Sequence, residues 1–467
     1  MKKHCNCHCF TLGDEYYIFD TYNYIILRVT KKFYEYVFSV CKGLKLHGEQ
    51  YNHETEVFDE MVRNNYFFSD YSFDKSNICS KNVATLSFAP IYACNLRCKY
   101  CFADKRDDTI YSQMKFDKKI VFEVLDWFTE IAFPENTYYR VDFVSGGEPL
   151  LNLEAIYATV EYSKKLKLSN KELQIWVCTN GLLLNDKVVK YFDENNISIG
   201  VSIDGDEKNH NKNRIDSTGC GTYKSVISQI DSIINNPSLS NKIKDIWALS
   251  VVTPHTNIAE VLHHHKRHGI KNAQLKFVRN VNDEFDLYDK DDIIQQYHQV
   301  AHELLDSLEI DSSSLMMILN DNDYFGKIVK RIMLKEAFIY RCKAGRTKLT
   351  VCPNGDIYPC DSFVGCEDYL LGNIYKEVDL KKYIFRDVLE RVKCENCSVK
   401  YICGGNCYYD SYIHTNDPNL TYNKFCETYI ELCNIALWLV YSIENRFPER
   451  YNEIVKLLNI RDIFTKE

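Results

Sequence analysis

The segment that most constrains this chain is a short run of cysteines spaced Cys-x3-Cys-x2-Cys. The three thiols are Cys94, Cys98 and Cys101, and Phe102 follows them directly. In a tight loop they converge on one point, which suits three irons of a [4Fe–4S] cube and leaves the fourth iron open. A structural zinc site normally takes four ligands in paired Cys-x2-Cys form. The spacing therefore favours an iron–sulfur cluster over zinc.

The composition is that of a globular protein and excludes several other classes. The 467 residues suffice for two or three domains, with apolar and charged fractions of 45% and 26%. The net charge of -8 offers no basic excess to displace counterions from nucleic acid. No apolar run approaches the ~20 residues that cross a bilayer, and the N-terminus lacks the apolar core of a secretory signal. We predict a cytoplasmic protein with neither nucleic-acid nor membrane partners.

Twenty cysteines are the most unusual compositional feature. A disulfide scaffold needs an oxidising compartment and is typical of much shorter chains. Three of the thiols lie at 94–101 and nine lie between 342 and 426, a clustering that favours metal or cluster ligation in a reducing cytoplasm. Near the N-terminus, Cys5, Cys7 and Cys9 are interpreted as a short flexible tail that binds metal adventitiously at most.

The first 80 residues predict a small unit of strands and helices. Glu15–Phe19 and Tyr24–Val29 form a hairpin, Thr30 caps a helix to about Cys41, and a second helix lies near Thr55–Arg63. This order is similar to the small winged-helix domain with which peptide-modifying enzymes bind leader peptides. Such a domain pairs an exposed strand edge with an extended peptide. The alternative is an extension that only packs on the next domain.

From Val83 onward, predicted strands alternate with helices, which indicates a parallel sheet covered by helices. The six predicted strands are Thr85–Ala89, Arg140–Val144, Gln174–Cys178, Ile197–Ile203, Ile246–Val252 and Gln274–Val278. Polar groups follow the C-terminal ends of several of them, as in the active site of a β/α barrel. We predict an α/β fold built on a partial (β/α)6 TIM barrel.

The loop after the second strand carries Gly146, Gly147 and Glu148. Two glycines let the backbone approach a ligand that a Cβ would exclude, and Glu148 accepts hydrogen bonds from an ammonium group. Placed after the cysteine loop, this segment resembles the radical S-adenosylmethionine enzymes. In that family the corresponding motif binds the amino group of S-adenosylmethionine, so these three residues are expected cofactor contacts. Phe102, which follows the cysteine loop, is an expected cofactor contact by the same resemblance.

Side chains at and after the fourth strand extend the predicted site. Ser202 and Asp204 can hydrogen-bond a ribose or the methionyl portion, and Arg214 can pair with its carboxylate in a forked geometry. Alternatively, Asp204 shapes the turn into Gly205. By resemblance, the first cysteine loop binds one [4Fe–4S] cluster. The implied chemistry is cleavage of S-adenosylmethionine to a 5′-deoxyadenosyl radical, which abstracts a hydrogen from a substrate carbon.

Three adjacent histidines, His263 to His265, resemble a metal site at first sight. Adjacent residues on a helix point in different directions and do not converge on one ion. We therefore interpret this run as a solvated helix face.

The second group of cysteines has an equally informative order. Cys342 precedes Gly355-x4-Cys360, then Cys394-x2-Cys397-x5-Cys403-x3-Cys407, and finally Cys426. This order resembles the SPASM domain, which implies two auxiliary [4Fe–4S] clusters. By position, the first takes Cys342, Cys360 and Cys407, and the second takes Cys394, Cys397, Cys403 and Cys426.

The first auxiliary cluster has only three ligands by this motif. Cys352 or Cys366 supplies a fourth, or one iron stays open to a substrate thiolate, and the sequence leaves both alternatives open. Cys433 follows Cys426 at helical spacing and is interpreted as a packing residue.

These assignments divide the chain into five parts. An amphipathic helix over Tyr429–Ile460 is expected to close over the cluster domain. The predicted parts are leader recognition at 1–80, the radical S-adenosylmethionine partial barrel at 81–310, a bridging region at 311–341, the SPASM domain at 342–433 and C-terminal helices at 434–467.

The segment from Cys342 to Ile374 looks most like maturases that join a cysteine sulfur to a carbon of a neighbouring residue. We predict such a thioether-forming maturase, of sactipeptide or ranthipeptide type. Its expected partners are a precursor peptide with a leader and a cysteine-rich core, and a flavodoxin or ferredoxin reductant. The alternatives are an anaerobic sulfatase-maturing enzyme that makes formylglycine, a carbon–carbon crosslinking maturase, and a binding or scaffold module with an inactive barrel.

Overall fold

The structure, a computed structural model, describes residues 4–465 apart from short gaps. The gaps are residue 6 and residues 45–50, 70–82, 104–113, 133–135, 137, 145, 167–171, 280–284, 286–289, 383 and 384. The strands described are β1 His4–Cys5, β2 Cys7–Leu12, β3 Glu15–Asp20, β4 Ile25–Val29, β5 Phe68–Ser69, β6 Thr85–Phe88, β7 Tyr139–Phe143, β8 Leu173–Thr179, β9 Ser198–Ser202, β10 Trp247–Val252, β11 Asn272–Phe277, β12 Lys348–Val351, β13 Asp356–Tyr358 and β14 Gly372–Asn373.

The described residues also form α-helices between and after these strands. They are α1 Lys31–Cys41, α2 Asn52–Arg63, α3 Lys118–Ile131, α4 Leu153–Ser163, α5 Asp186–Glu194, α6 Glu207–Asn213, α7 Tyr223–Ile234, α8 Asn241–Lys244, α9 Ile258–Arg267, α10 Lys290–Ser307, α11 Ser313–Ile318, α12 Gly326–Leu334, α13 Lys400–Cys403, α14 Tyr408–Thr415, α15 Asn423–Arg446 and α16 Pro448–Thr465. Among these helices, none has both the length and the apolar character needed to span a bilayer.

The central sheet has nine strands in the order β11-β10-β9-β8-β7-β6-β12-β13-β14. Strands β6 to β11 are parallel to one another and adjacent in chain order, with at least one helix after each of them. Each lies within one or two residues of its predicted bounds. The α/β fold with a six-stranded partial barrel is therefore confirmed. Because the strands are parallel, their C-terminal ends and the loops that follow share one edge of the sheet.

Strand β12 continues the barrel sheet and was not predicted. It pairs in parallel with β6, with Leu349 opposite Leu86, and then forms an antiparallel hairpin with β13. Cys352 directly follows β12, and Cys360 lies two residues after β13. The second cysteine region is thus built onto the same sheet as the first, beside the strand that leads into the first cysteine loop.

Helix α15 is a central element of the core. Residues along most of its length are buried, and it packs against α10, α12 and β2. The amphipathic helix predicted over Tyr429–Ile460 as a closing element is instead two helices, and the first of them lies in the core. Helix α15 ends at Arg446, with Phe447 as its cap, because Pro448 cannot continue the helix. Pro448 instead occupies the first turn of α16.

The N-terminal unit contains a three-stranded antiparallel sheet in the order β2-β3-β4, followed by α1 and α2. The predicted hairpin and the Thr30 cap are present, and Thr30 Oγ1 accepts from Phe33 N at 3.3 Å. The flexible tail predicted around Cys7 and Cys9 is wrong, because both lie in β2 and pair with β3. The side chain of Cys5 lies outside the described residues.

One face of this small sheet packs against α1 and α2, and the other faces α15. Ile18 shares a buried cluster with Val37 of α1 and Phe58 of α2. On the other face, His8 Nε2 lies 2.7 Å from Asn434 Oδ1 of α15, and its Nδ1 lies 2.8 Å from Ser398 Oγ. Burial lowers the pKa of His8, which favours a neutral ring between these two partners. The sheet is therefore a buried layer between two sets of helices.

The three adjacent histidines do not form a solvated face, and that interpretation is wrong for two of them. His263 is exposed and lies 2.8 Å from Glu303, whereas His264 and His265 are buried. His265 Nε2 contacts Ser250 Oγ of β10 at 2.9 Å, and His264 Nε2 contacts Tyr223 Oη of α7 at 2.8 Å. The two rings point inward because α9 packs directly on the barrel sheet and its neighbouring helix.

These buried rings predict a loss of stability in acid. Burial lowers the pKa of His265 to about 3 from an ordinary 6.5. Below pH 6.5 the His265 ring is protonated in the unfolded chain, whereas in the folded chain it stays neutral down to about pH 3. Between these two pH values, each such ring lowers the free energy of unfolding by up to about 1.4 kcal/mol for every pH unit of acidification. We expect His265→Gln to flatten the decline in urea stability between about pH 6.5 and 4.5.

The neighbouring exposed ring provides the matched control for this experiment. His263→Gln removes a histidine of the same helix whose ring is already in contact with solvent. Its pH dependence should follow that of the unmodified protein. Identical pH dependence in the two variants would contradict the neutral state assigned to His265.

Candidate active site

The first cysteine loop follows β6 and is held by the segment after α6. Arg97 N donates to Ile215 O at 2.8 Å, and Lys99 N donates to Asn213 O at 3.0 Å. Burial raises the pKa of Cys98 to about 11, Arg214 opposes this shift, and the thiols of Cys101 and Cys94 add to it. The three predicted cluster ligands therefore lie together, next to the Arg214 guanidinium.

The Gly146–Glu148 loop is bonded directly to the cysteine loop. Gly147 N donates to Ile91 O at 2.8 Å, and Glu148 N donates to Ala93 O at 3.0 Å. A Cβ on Gly147 would lie 1.8 Å from Ala93 O. The missing side chain of Gly147 therefore makes room for the backbone of the cysteine loop, a second reason for glycine at this position. Gly146 has a φ of +77°, which favours glycine for conformational reasons.

Glu148 is buried and ties the loops after β7 and β8 together. Its carboxylate accepts from Thr179 Oγ1 at 2.6 Å, from Asn180 N at 2.7 Å and from Leu150 N at 3.0 Å. Burial raises the pKa of Glu148, while these three hydrogen bonds oppose the shift. Asn180 also donates through Nδ2 to Asn95 Oδ1 of the cysteine loop at 2.7 Å. An incoming ammonium group would share this carboxylate with three donors of the protein.

Tyr100, inside the cysteine loop, links two of the predicted site residues. Its hydroxyl donates to Asp204 Oδ2 at 2.5 Å and accepts from Arg214 Nη1 at 2.8 Å. Asp204 Oδ1 accepts from Val251 N at 2.9 Å. Asp204 therefore anchors the cysteine loop to the barrel and has both oxygens engaged. The sequence contained a signal for Tyr100, namely a large side chain directly before the third cysteine, but not its partners.

Arg214 has a donor left over for a ligand. Its Nε is buried and has no hydrogen-bond partner among the described residues. An unsatisfied buried donor of this kind is costly unless a ligand pairs with it. The arrangement fits a carboxylate such as that of S-adenosylmethionine, beside three thiols that suit an iron–sulfur cluster.

Removing the Tyr100 hydroxyl is expected to weaken cofactor binding. Tyr100→Phe leaves Asp204 Oδ2 and Arg214 Nη1 without their common partner, at a cost of about 1–3 kcal/mol. We expect about tenfold weaker binding of S-adenosylmethionine to the reconstituted protein, measured by equilibrium dialysis, with unchanged iron content. Tyr223→Phe is the control, because its hydroxyl contacts His264 instead. Equal affinity in both variants would contradict the positioning role of Tyr100.

The remaining predicted contacts lie at the same edge of the sheet. Ser202 is the last residue of β9 and is half-buried. Phe102 is covered by the guanidinium of Arg279, whose Cζ lies 4.8 Å from the ring centroid. Arg279 follows β11 and donates through Nη1 to Ser362 Oγ at 2.9 Å. It thereby connects the first cysteine loop to the second cysteine region, a role that no local sequence pattern predicts.

Cys342, Cys360 and Cys407, predicted for the first auxiliary cluster, lie near one another, and two of them, Cys360 and Cys407, also lie near Arg279. Burial raises the pKa of Cys360, and Asp361 and Cys342 add to this shift. Burial lowers the pKa of Arg279, but Cys407, Asp361 and Cys360 raise it further than burial lowers it. Of the three thiols, Cys342 is exposed and the other two are half-buried. A half-buried cation thus lies next to the thiols of Cys360 and Cys407.

The two optional ligands of that cluster lie in its surroundings. Cys352 is fully buried, and its Sγ lies 3.4 Å from Tyr92 Oη. Cys366 is half-buried and packs against the same buried cluster as Cys352. The Cys352 thiol is therefore already engaged by a residue that precedes the first cysteine loop.

The four thiols predicted for the second auxiliary cluster also lie together. They are Cys394, Cys397, Cys403 and Cys426. Burial raises the pKa of Cys426 to about 12, and Cys403 and Cys397 add to it. Burial likewise raises the pKa of Cys403 to about 12, with Cys397 and Cys394 adding to it. Buried thiols that raise one another's pKa stay protonated when no metal is bound. A cationic cluster displaces their protons and binds the resulting thiolates.

Comparisons with known proteins agree with this site. Residues 88–267 match the Radical SAM superfamily. The cysteine-type anaerobic sulfatase-maturating enzyme of Clostridium perfringens strain 13 is 27% identical over 380 residues, which are 75% of this chain and 95% of that protein. The solved structure of native anSMEcpe with bound AdoMet has a TM-score of 0.61 at 22% identity and covers 79% of this chain and 99% of its own.

A second solved structure matches more of the chain. Streptococcus suis SuiB bound to the precursor peptide SuiA has a TM-score of 0.50 at 16% identity and covers 90% of this chain and 98% of its own. Residues 88–267 therefore form a radical S-adenosylmethionine domain, and the prediction of this family from the first cysteine loop is confirmed. The match to the Radical SAM superfamily confirms the prediction of S-adenosylmethionine and a [4Fe–4S] cluster as cofactors. The two solved structures share the fold of this chain.

Proposed function

We propose that this enzyme matures a ribosomally made, cysteine-rich peptide by joining a cysteine sulfur to a carbon of a neighbouring residue. The observation that carries the proposal is the edge of the N-terminal sheet formed by β4, which is more exposed than β2 at the opposite edge. Both faces of that sheet are covered by helices, and within the described residues β4 pairs only with β3. An extended leader peptide can add to such an edge through backbone hydrogen bonds.

The C-terminal edge of the barrel provides the reaction centre. When bound, the clusters and S-adenosylmethionine supply a 5′-deoxyadenosyl radical and an electron acceptor. Arg214 and Tyr100 hold the cofactor side of the site, and Arg279 closes it against the second cysteine region. Because Cys352 is engaged by Tyr92, either Cys366 or an open position completes the three motif thiols of the first auxiliary cluster. A substrate thiolate would fit that position.

A second candidate is the oxidation of a cysteine or serine to formylglycine. The specific observation in its favour is the similarity to the cysteine-type sulfatase-maturating enzyme, of which the alignment covers 95%. The same alignment leaves a quarter of this chain uncovered. A folded sulfatase loop does not need a sheet edge for a leader peptide, so the N-terminal unit favours the peptide maturase.

The mass of the product distinguishes these chemistries. The reconstituted enzyme is incubated anaerobically with S-adenosylmethionine, reductant and the cysteine-rich peptides encoded near its gene. Loss of two hydrogens per modified cysteine, with that thiol closed to alkylation, supports a thioether. The same loss with every thiol still alkylated indicates a carbon–carbon link or formylglycine made from a serine, and overturns the proposal. Loss of sulfur indicates formylglycine and also overturns it.

Hydrogen–deuterium exchange tests the docking edge separately. Added precursor peptide should slow exchange of the amides in β4 (Ile25–Val29) and leave β2 (Cys7–Leu12), at the other edge of the sheet, unchanged. Protection absent from β4 while product still forms would show that the peptide binds elsewhere.

A further inference from the structure

Three thiols converge in the N-terminal unit, far in sequence from the predicted clusters. Cys7 and Cys9 lie on the same face of β2, and Cys41 is the last residue of α1. Their Sγ atoms all lie within 4.8 Å of one another, and the Cys7 and Cys9 Sγ atoms are 3.7 Å apart. Two thiolates on one tetrahedral zinc, at a Zn–S distance of about 2.3 Å, are about 3.8 Å apart. The Cys7–Cys9 spacing is thus that of two thiolates on a single ion, and Cys41 lies close enough to join them.

The surroundings of these thiols also suit one small, soft cation. Cys7 lies in the buried core of the unit with Ile18 and Val37, whereas Cys9 and Cys41 are half-buried at its margin. This group opens toward the surface on one side, which provides an entry path. Three sulfur ligands select a thiophilic ion and disfavour the hard cations magnesium and calcium.

The neighbouring histidine is not part of the group. His8 lies on the opposite face of β2, between Ser398 and Asn434. Among the described residues, no fourth histidine, cysteine or carboxylate ligand atom joins the three thiols within the same distance. The fourth position of a tetrahedral ion would face the open margin, where water can occupy it.

We propose that Cys7, Cys9 and Cys41 bind one zinc ion, which joins β2 to the C-terminal end of α1. Binding exchanges three thiol protons for the divalent ion, with no change of oxidation state. The ion crosslinks the first strand of the sheet to the helix that covers it, and so stabilises the N-terminal unit. This site is independent of the iron–sulfur clusters and does not rest on the thioether proposal.

The test is metal analysis of the full-length, anaerobically reconstituted enzyme. After incubation with zinc and removal of loosely bound metal by a weak chelator, the unmodified chain should retain about one equivalent of zinc. Cys9→Ser and Cys41→Ser should retain none, with their iron content unchanged. Cys220→Ser, which removes an exposed thiol on a surface turn, should behave like the unmodified chain.

Cobalt substitution gives a second measurement that does not depend on how a variant folds. Co²⁺ added to the unmodified chain should show thiolate-to-cobalt charge-transfer absorption, which excess zinc removes. Zinc retained equally by Cys41→Ser and the unmodified chain would overturn the proposal. So would iron in place of zinc, a Cys7–Cys9 disulfide in the anaerobic protein, or the absence of the cobalt band.

Discussion

Cys426→Ser is expected to remove about four irons per chain, whereas Cys433→Ala should remove none. Both residues lie on α15, two helical turns apart. The thiols of Cys403 and Cys397 add to the raised pKa of both residues, and Cys426 is half-buried at the position that the spacing of the cysteines predicts for a ligand. Cys433 is fully buried in the hydrophobic core, which indicates a packing role. Serine is a poor ligand for a soft cluster iron, so the second auxiliary cluster should not assemble.

The measurement is iron content together with cleavage of S-adenosylmethionine. Cys426→Ser should still release 5′-deoxyadenosine, because the first cysteine loop is intact, but should not modify the peptide. Cys433→Ala is the matched control on the same helix. Loss of about four irons from Cys433→Ala, with none lost from Cys426→Ser, would contradict the assigned set of ligands.

Gly147→Ala is expected to reduce the rate of S-adenosylmethionine cleavage at least about 100-fold, because displacements of about 1 Å at a reaction centre have effects of this size. A methyl group at this position would lie 1.8 Å from Ala93 O and 2.4 Å from Ala93 C. Neither atom belongs to a flexible side chain. The Gly146–Glu148 loop and the cysteine loop must therefore move apart and lose the hydrogen bonds that join them.

The control for this variant is Gly219→Ala. Gly219 has a φ of +86°, but a methyl group there meets no atom within 4 Å. The variant therefore carries a backbone cost of about 1–2 kcal/mol without any displacement of the site. Cleavage rates equal to those of the unmodified enzyme are expected for Gly219→Ala. A similar rate in Gly147→Ala would show that the two loops adapt without effect on the cofactor.

Much of the barrel could be predicted because its signals are local. Each parallel strand is a short apolar run followed by turn residues, and the order of strands in the sheet follows their order in the chain. Strand β12 was missed since it has only four residues and its partner β6 lies about 260 residues earlier. Its pairing depends on tertiary structure alone. The burial of α15 was missed for a related reason, because its polar positions meet the N-terminal unit and the bridging helices instead of water.

In the candidate site, too, features with a local sequence signal were predictable and features that depend on tertiary contacts were not. The spacing of cysteines predicted which thiols come together, and the strand ends predicted that Glu148, Asp204 and Arg214 lie near them. The partners of these groups were not predictable, since Tyr100 and Arg279 act through residues more than 80 positions away. The thiol group of Cys7, Cys9 and Cys41 required the fold as well, because a strand and a helix end supply its members.

The most direct test of the central claim follows the hydrogen that the radical removes. Anaerobic turnover is carried out with a precursor peptide deuterated at every residue except cysteine, and the released 5′-deoxyadenosine is analysed by mass spectrometry. Thioether formation predicts deuterium in 5′-deoxyadenosine from this peptide and none from a peptide deuterated only at the cysteine Cβ. Deuterium from the cysteine Cβ alone would contradict the account and would indicate formylglycine chemistry.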